Sequence, residues 1–528
     1  LFGIGALLEE DDDGYCKIKS LTPGAPAARS KQIKPGDRIV AVAQGTNAPV
    51  DVVQMPLTKV VDQIRGLKGT EVRLTIIPAD APTSTRNVVS IKRDEIKLED
   101  QQAKAKLVEL TDDEGRTNRL GIIDLPSFYA SFSVVGQRSR PEIKSATMDV
   151  DRLLTKLEKS HVDGVILDLR HNGGGSLPEA IDLTGLFIKQ GPVVQVKGSN
   201  PDEPVQVDED TDPRVQYGGP LVVLTSRFSA SASEIVAGAL QDYGRAVVVG
   251  GASTHGKGTV QSMSQLAPYV RGDYFTNDPA DFGALKYTTN KFYRVTGSST
   301  QLKGVVPDIV LPSSYDYMET EEAREDNAMP WDEIQSTKYD KLNLVQPYVA
   351  ELEKRSEKRV AASKDFDYVR EDIELVKKTM SDKSASLNER QQLKESAEAE
   401  ASRKAREAEM KARKEPEVKT YDLTLKNGDV LMVEEKRAST NAPIAGVKSK
   451  PGLGQESSPN PTAGADDTVS PDDIADANAQ SATTDLPSPE EKAPMDEAEH
   501  ILIDYISVLH AHPDLTAEHQ SASVLQSN

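Results

Sequence analysis

Three serines, a lysine and a glutamine are spaced so that they could carry out acyl transfer. Arg227-Phe228-Ser229-Ala230-Ser231-Ala232-Ser233-Glu234-Ile235 follows an apolar run, Leu221-Val222-Val223-Leu224, and leads into a helix-forming stretch at 234–241. A turn from buried strand to helix exposes a side chain at the sheet edge, close to a helix N-terminus. A serine there is placed to act as a nucleophile. Each of the three could equally cap the helix. Ser233, followed directly by Glu234, suits capping best and leaves Ser231 as the candidate nucleophile.

A serine hydroxyl needs a base. The histidines of this region are His161, His171 and His255. The other candidate is Lys257, in Thr254-His255-Gly256-Lys257-Gly258-Thr259-Val260-Gln261. A lysine between two glycines can approach another backbone closely. An amine kept from water gives up its proton more readily and can then accept one from serine. Gln261, four residues on, could orient that amine. Gly251, four residues, then Gly256-Lys257 also matches most of a phosphate loop. The next position is Gly258 instead of Ser or Thr, and Gly258-Thr259-Val260 is a poor helix start, so an NTPase is disfavoured.

These residues must be positioned by surrounding elements. Residues 100–312 read as α/β. Val150, Leu153, Leu154 and Leu157 form a helix face. Val165-Ile166-Leu167-Asp168-Leu169 is a buried strand running into Arg170-His171-Asn172-Gly173-Gly174-Gly175, a glycine loop, and then a helix at 178–188. With strands at 220–224 and 246–249, the alternation predicts a largely parallel sheet. Residues 1–99 read as a separate β-rich domain. Val72, Leu74 and Ile76 alternate as a strand does, and Leu57, Val60, Val61 and Ile64 have helical spacing. Pro23-Gly24 and Pro35-Gly36-Asp37 mark turns. Residues 316–435 read as a charged helical region. The stripe Phe366, Val369, Ile373, Val376, Met380 is expected to pack on the body, and residues 389–414 to form a solvated helix. Residues 436–494, acidic and rich in Pro, Ser and Ala, read as a disordered linker, and residues 495–528 as a terminal helix and tail.

Composition bounds the function. A chain of 528 residues is too long for one core. With 63 basic and 84 acidic residues, the net charge of −21 argues against a nucleic-acid partner. Residues 451–500 hold 12 acids and one lysine, so about half of the excess lies in one stretch. No run of about 18 apolar residues occurs, so no membrane-spanning helix is expected. Cys16 is the single cysteine. This excludes a disulfide scaffold, and its apolar-alternating neighbours point to a buried thiol. The absence of an initiator Met suggests a fragment or processed form. No metal-ligand cluster such as His-Glu-x-x-His is present, so neither metal nor cofactor is expected.

Residues 1–99 resemble a PDZ domain, on Gly3-Ile4-Gly5-Ala6, Ser20-Leu21-Thr22-Pro23-Gly24-Ala25-Pro26-Ala27 and Ile33-Lys34-Pro35-Gly36-Asp37-Arg38-Ile39. A glycine-flanked loop can aim backbone N–H groups at a terminal carboxylate, and the strand after it offers an edge to an extended peptide. Taken in order with Asp168-Leu169-Arg170-His171-Asn172-Gly173-Gly174-Gly175, the serine turn and Gly256-Lys257-Gly258-Thr259-Val260-Gln261, the chain resembles the C-terminal processing proteases, in their tail-specific subgroup.

The resemblance implies an α/β multidomain chain: a PDZ domain (1–99), a crotonase/Clp-protease-like Ser/Lys protease core (100–315) and a charged helical C-terminal region. It implies Ser231 as nucleophile, Lys257 as base, Gln261 as the residue positioning the lysine, and Ala232 and Gly174 as backbone oxyanion donors. Asp242 matches a position of functional weight in the subgroup, though it is equally a polar residue at a helix end. Gly3, Ile4, Gly5 and Ala6 would bind the peptide terminus. The implied partners are protein substrates with apolar C-termini and a possible lipoprotein adaptor, with peripheral membrane association. The implied place is the bacterial periplasm or the periplasmic face of the inner membrane. Three departures stand out: the approach to Lys257 through Gly251-Ala252-Ser253-Thr254 is one residue longer than usual, His255 replaces an apolar or aromatic residue, and the family's N-terminal helical region is absent. A PDZ scaffold without catalysis is the competing class. A crotonase-like acyl-processing enzyme is a third, which the serine and the PDZ domain argue against.

Overall fold

The computed structural model describes residues 2–11, 14–22, 25–79, 81–95, 102–112, 114–130, 144–200, 202–266, 284–382, 386–413, 418–426, 429–434 and 487–511. The Pro23-Gly24 turn, most of the expected acidic linker and the chain's last 17 residues lie outside these. The chain divides into two compact units, residues 1–102 and 103–528.

The first unit is an antiparallel sheet ordered β1 (Ala6–Glu10), β2 (Cys16–Leu21), β3 (Arg38–Gln44), β4 (Glu71–Ile77), β5 (Asn87–Lys92), with helix α1 (Leu57–Ile64). Val72, Leu74 and Ile76 all face the core, as their alternation requires, and Val60 and Ile64 of α1 close over them. In the Pro35-Gly36-Asp37 turn the Asp37 carboxylate accepts from the N–H groups of Lys34 (2.9 Å) and Ala79 (3.0 Å). Arg93 is buried. Its guanidinium donates to the Ile64 carbonyl (2.8 Å), to Thr70 Oγ1 (2.9 Å) and to Gln44 Oε1 (2.6 Å), joining the end of α1 to two strands. Cys16 is buried, and burial pushes its thiol up to about 12.

The second unit is built on an eight-stranded sheet. Its strands are β6 (Lys104–Thr111), β7 (Thr117–Asp124), β8 (Gly164–Asp168), β11 (Leu221–Thr225), β12 (Val247–Gly250), β15 (Ile309–Val310), β16 (Lys419–Lys426) and β17 (Asp429–Glu434). The order is β15-β12-β11-β8-β7-β6-β16-β17, parallel from β15 to β7 and antiparallel beyond. A second, antiparallel sheet has the order β10 (Gln206–Asp210), β9 (Gly191–Gly198), β14 (Ala284–Tyr293), β13 (Thr259–Gln265).

The central strands are apolar throughout because both faces of the sheet are covered. Val165, Leu167, Leu221 and Val223 face one core, packed by α2 (Ala146–Lys159), α3 (Leu177–Gly185) and α4 (Ala232–Asp242). Ile166, Val222, Leu224 and Val249 face the other, packed by α5 (Val349–Ala362), α6 (Lys364–Ser381) and α8 (Pro489–Ala511). Phe366, Val369 and Ile373 of the expected stripe are buried, whereas Met380 is exposed, so α6 packs on the body through its first half. Helix α7 (Glu389–Ala412) buries none of its residues, as its charge pattern required.

Two differences from the sequence reading concern the C-terminal region. Residues 419–426 and 429–434 are not helical; their alternating apolar residues form an antiparallel strand pair that extends the core sheet, with Leu423 fully buried. The last helix begins at Pro489, inside the segment read as linker. Its first turn is acidic, but the Glu490 carboxylate is compensated by hydrogen bonds to Ser313 and Ser314 from a distant part of the chain.

Candidate active site

Ser231 occupies the N-cap of α4, at the turn that leaves β11. Its φ of 54° and ψ of −111° are unusual for a residue with a side chain, and such backbone strain costs on the order of 1–3 kcal/mol. The surroundings hold the strain. The turn has capping-box geometry, and its carboxylate half is a strong bond: the Ser231 N–H donates to Glu234 Oε2 at 2.8 Å. Ser233, expected as the cap, lies inside the first turn. Its hydroxyl donates to the Asn172 carbonyl at 2.6 Å. Ser229 donates to the Leu169 carbonyl at 2.7 Å. Both flanking serines therefore fasten the turn to the glycine loop, and Ser231 remains half-buried at its apex.

The glycine loop is shaped to the serine. Gly174 has φ +111°, and a Cβ on it would stand 2.9 Å from the Ser231 Cβ. A side chain there would occupy the space beside Ser231. The Ala232 N–H, at the first position of α4, has no hydrogen-bond partner among the described residues. The Gly174 N–H does have one: it donates to Asn172 Oδ1 at 2.9 Å. Of the two expected oxyanion donors, Ala232 has its N–H free among the described residues, whereas that of Gly174 is already engaged. Among the three glycines, the N–H groups of Gly173 and Gly175 have no partner among the described residues.

Lys257 reaches the same place through Glu234, a fully buried carboxylate with four donors. Oε1 accepts from Thr254 Oγ1 (2.6 Å) and the Gly256 N–H (2.8 Å), and Oε2 from the N–H groups of Ser231 (2.8 Å) and Lys257 (3.0 Å). One oxygen thus holds both backbones, and the two nitrogens are no farther apart than the sum of those two distances. Burial pushes the Glu234 carboxyl up to about 7, against the pull of its hydrogen-bond donors. The far side of the lysine loop is held by Gln301, whose Oε1 accepts from the Gly258 N–H at 2.8 Å. Lys257 itself is half-buried, and among the described residues its ammonium lies in no ion pair.

Residues 119–311, the segment that contains the serine turn, the glycine loop and the lysine loop, match the model of peptidase family S41. The core is a peptidase family S41 domain. Residues 2–77 match the PDZ domain, and residues 315–507 match the C-terminal domain of tail specific protease. The chain is 42% identical over 391 residues to the tail-specific protease of Haemophilus influenzae, covering 74% of this chain and 52% of that protein. It is 32% identical to the carboxy-terminal-processing protease of Bartonella bacilliformis, over 49% of this chain and 52% of that protein. The chain therefore spans about half the length of the curated relatives it matches. A crystal structure of the PDZ domain of a carboxy-terminal protease from Vibrio cholerae, in complex with peptide, is 46% identical, covering 19% of this chain and 98% of that one, with a TM-score of 0.18.

Other candidates are placed differently in the S41 domain. Asp242 ends α4. At about 1.5 Å of rise per residue it stands about 16 Å along the helix from Ser231, too far to touch a reacting atom there. It forms a two-pronged pair with Arg294, at 2.9 and 2.6 Å. Gln261 is exposed on β13, beyond a register shift at Val260/Gln261, and no hydrogen bond joins it to Lys257. The His255 ring is turned toward Glu322, with Nε2 3.6 Å from its carboxylate, and the His255 backbone N–H donates to the Ser229 carbonyl. In the PDZ unit, Gly3 pairs with Asp94, the Ile4 side chain is in the core and Ala6 begins the edge strand β1. Gly5 has φ +71°, and its N–H has no partner among the described residues.

Sequence reasoning did not reach the roles of Glu234, Asn172, Thr254 and Gln301. Glu234 had a local signal. A Ser with Glu three residues on is the spacing of a capping box, which marks Ser231 as the N-cap. Gln301 had none, because 43 residues separate it from the N–H it holds.

Proposed function

We propose that this chain is a serine endopeptidase that works with a Ser231/Lys257 dyad and selects substrates by their C-terminus. The observation that carries the reading is the Glu234 carboxylate. One buried side chain ties the strained serine turn and the lysine loop together, an arrangement that a non-catalytic scaffold has no reason to keep.

The chemistry follows from that placement. Lys257, as the neutral amine, takes the proton of the Ser231 hydroxyl as Oγ attacks the scissile carbonyl carbon. The carbonyl oxygen becomes an oxyanion. The Ala232 N–H and a free N–H of the glycine loop, from Gly173 or Gly175, receive it. The lysine ammonium then protonates the leaving amine, giving an acyl-enzyme on Ser231. Water attacks the ester carbonyl and Lys257 takes its proton; the Oγ–acyl bond then breaks, the lysine ammonium returns the proton to Ser231 Oγ, and the product acid leaves. Asp242 acts at a distance, through Arg294, on the end of α4.

In the PDZ unit, the turn at Gly5 and the edge of β1 beside α1 would receive the apolar, carboxylate-bearing end of a polypeptide. Periplasmic proteins and an adaptor that presents them are the partners this reading calls for.

The test compares the parent chain with Ser231→Ala, Lys257→Ala and His255→Ala on a loosely folded protein ending in apolar residues, and on the same protein ending in charged residues. Cleavage of the first substrate alone, lost in the Ser231 and Lys257 variants and kept in the His255 variant, is the expected result. Loss with His255→Ala and survival with Lys257→Ala would replace the base. Binding of the apolar tail without cleavage would make the chain a scaffold.

A further inference from the structure

The last helix, α8, packs behind the serine and glycine loops. The sequence separates it from β17 by residues 435–488, yet it buries twelve residues, among them Ala498, Ile501, Leu502, Tyr505 and Ile506. Its face meets Ile166, Val222 and Leu224, on the side of the sheet away from α4. Fit is close at β8. A Cβ on Gly164 would stand 2.8 Å from Leu502 Cδ1, so glycine is the residue that lets the helix down onto the strand.

The first turn of α8 makes polar contacts of a different kind. The buried Glu490 carboxylate accepts from Ser313 Oγ (2.5 Å), the Ser314 N–H (3.1 Å) and Ser314 Oγ (3.0 Å). The Glu491 carbonyl accepts from Arg170 Nη1 at 2.6 Å. Arg170 also grips the buried Asp168 carboxylate with Nε and Nη2, at 3.0 and 2.8 Å. Its own carbonyl accepts from the Ser226 hydroxyl. Arg170 opens the loop that runs to Gly175, and Ser226 opens the turn that runs to Ser231. Ser229 Oγ accepts from the Ser226 N–H (3.0 Å) and donates to the Leu169 carbonyl (2.7 Å), which closes the mesh.

We propose that α8 is a separable strap whose first turn, through Glu490 and the Arg170–Glu491 carbonyl bond, sets the position of the two loops that form the catalytic centre. Glu490 and Arg170 are positioning residues; neither touches substrate. Arg170 is the link, because its guanidinium joins the end of β8 to the strap while its backbone carbonyl accepts from the serine turn. The apolar face supplies the affinity and the first turn supplies the alignment. The activity part of the proposal rests on the peptidase reading; the loop-ordering part does not.

A recognition sequence for a site-specific protease is placed within residues 435–486 of the full chain, and the chain is cut there. The strap should stay bound and the cut chain stay active. Displacing it in mild denaturant and removing it by gel filtration should lower kcat at least 10-fold. A synthetic peptide of residues 487–511 should restore it. The same peptide carrying Glu490→Ala should bind yet leave kcat on the order of 10-fold low with KM little changed, since small displacements at a catalytic centre act on rate. Glu490→Gln, which keeps an acceptor oxygen, should recover part of the loss. Hydrogen exchange supplies the readout that does not need activity. The hydrogen-bonded amides within 170–174 and 226–231, such as those of Asn172, Gly174, Ser226, Ala230 and Ser231, should be protected with the strap and exchange faster without it, while β7 and β8 stay protected.

A stripped chain with full kcat and unchanged loop protection overturns the proposal, as does full restoration by the Glu490→Ala peptide. If the stripped chain aggregates, Glu490→Ala in the uncut chain decides by the same two readouts. If the uncut parent cleaves nothing, the peptidase reading fails by itself, and exchange at the loops still judges the strap.

Discussion

Replacing Glu234 by Gln tests the claim that one carboxylate assembles the catalytic centre. Gln keeps the shape and one acceptor oxygen. Its best orientation turns that oxygen toward the Ser231 and Lys257 N–H groups and its NH2 toward Thr254 Oγ1, which can accept. The Gly256 N–H then faces a donor and is orphaned. An unpaired buried donor costs about 1–3 kcal/mol, and bonds to a charged acceptor are about twice as strong as neutral ones. At pH 5, where the parent carboxyl is protonated and the charge-assisted part is absent, the orphaned donor gives a stability loss of about 1–3 kcal/mol, read from urea unfolding. The lysine loop shifts with Gly256, so kcat/KM on a peptide substrate should fall by about 10²-fold.

The pH dependence sharpens the test. With Glu234 pushed up to about 7 in the folded state from 4.5, the folded protein holds that proton more tightly than the unfolded chain. The stability it contributes is therefore complete below pH 4.5 and lost as pH rises through 7, an effect of roughly 3 kcal/mol at about 1.4 kcal/mol per pH unit. Activity should move oppositely, rising through pH 7, because only the ionised carboxylate accepts all four donors. Glu234→Gln should flatten the stability slope. A variant within twofold of the parent in kcat/KM, or one that keeps the slope, would refute the reasoning.

Other expectations rest on separate contacts. Gly174→Ala should abolish turnover, since its Cβ would stand 2.9 Å from the Ser231 Cβ at a φ of +111°; the check is turnover together with a circular dichroism spectrum that stays native. Asp242→Ala and Arg294→Ala should behave alike, lowering stability by about 2–4 kcal/mol, because each leaves a half-buried charge without its partner. A double variant milder than the sum of the two would show the shared cause in thermal melts. Leu502→Ala should cost about 2–5 kcal/mol through the cavity it leaves on the sheet. Gly164→Ala should destabilise by about 1–3 kcal/mol, and Leu502→Ala in the same chain should relieve part of that in urea unfolding.

The sequence reached the parts of this molecule that short-range chemistry dictates. The strands at 164–168 and 221–225 were legible because a parallel strand covered on both faces must be apolar at every position. The serine turn was legible because a strand, a run of small residues and a helix stand next to one another. Lys257 was legible because two glycines flank it. The Pro35-Gly36-Asp37 turn of the PDZ unit was legible through its Gly and Pro signals.

Partnerships across the chain were decided by tertiary structure. Glu234 joins Ser231 to Lys257 because α4 and the loop after β12 meet where their strands end, and their 23-residue separation carries no pattern that announces it. Ser233 looked like the cap until the Asn172 carbonyl, 61 residues earlier, claimed its hydroxyl. Asp242 looked catalytic until the straight rise of α4 carried it away from Ser231. The strands at 419–426 and 429–434 read as charged helix and the first turn of α8 as disordered linker because their partners, β6, Ser313 and Arg170, lie far off in the chain. Side-chain type and local spacing fix which chemistry a residue can do. Which residues do it together is set by the packing of distant elements, because a buried charge or a strained turn persists only where groups from elsewhere in the chain supply its bonds.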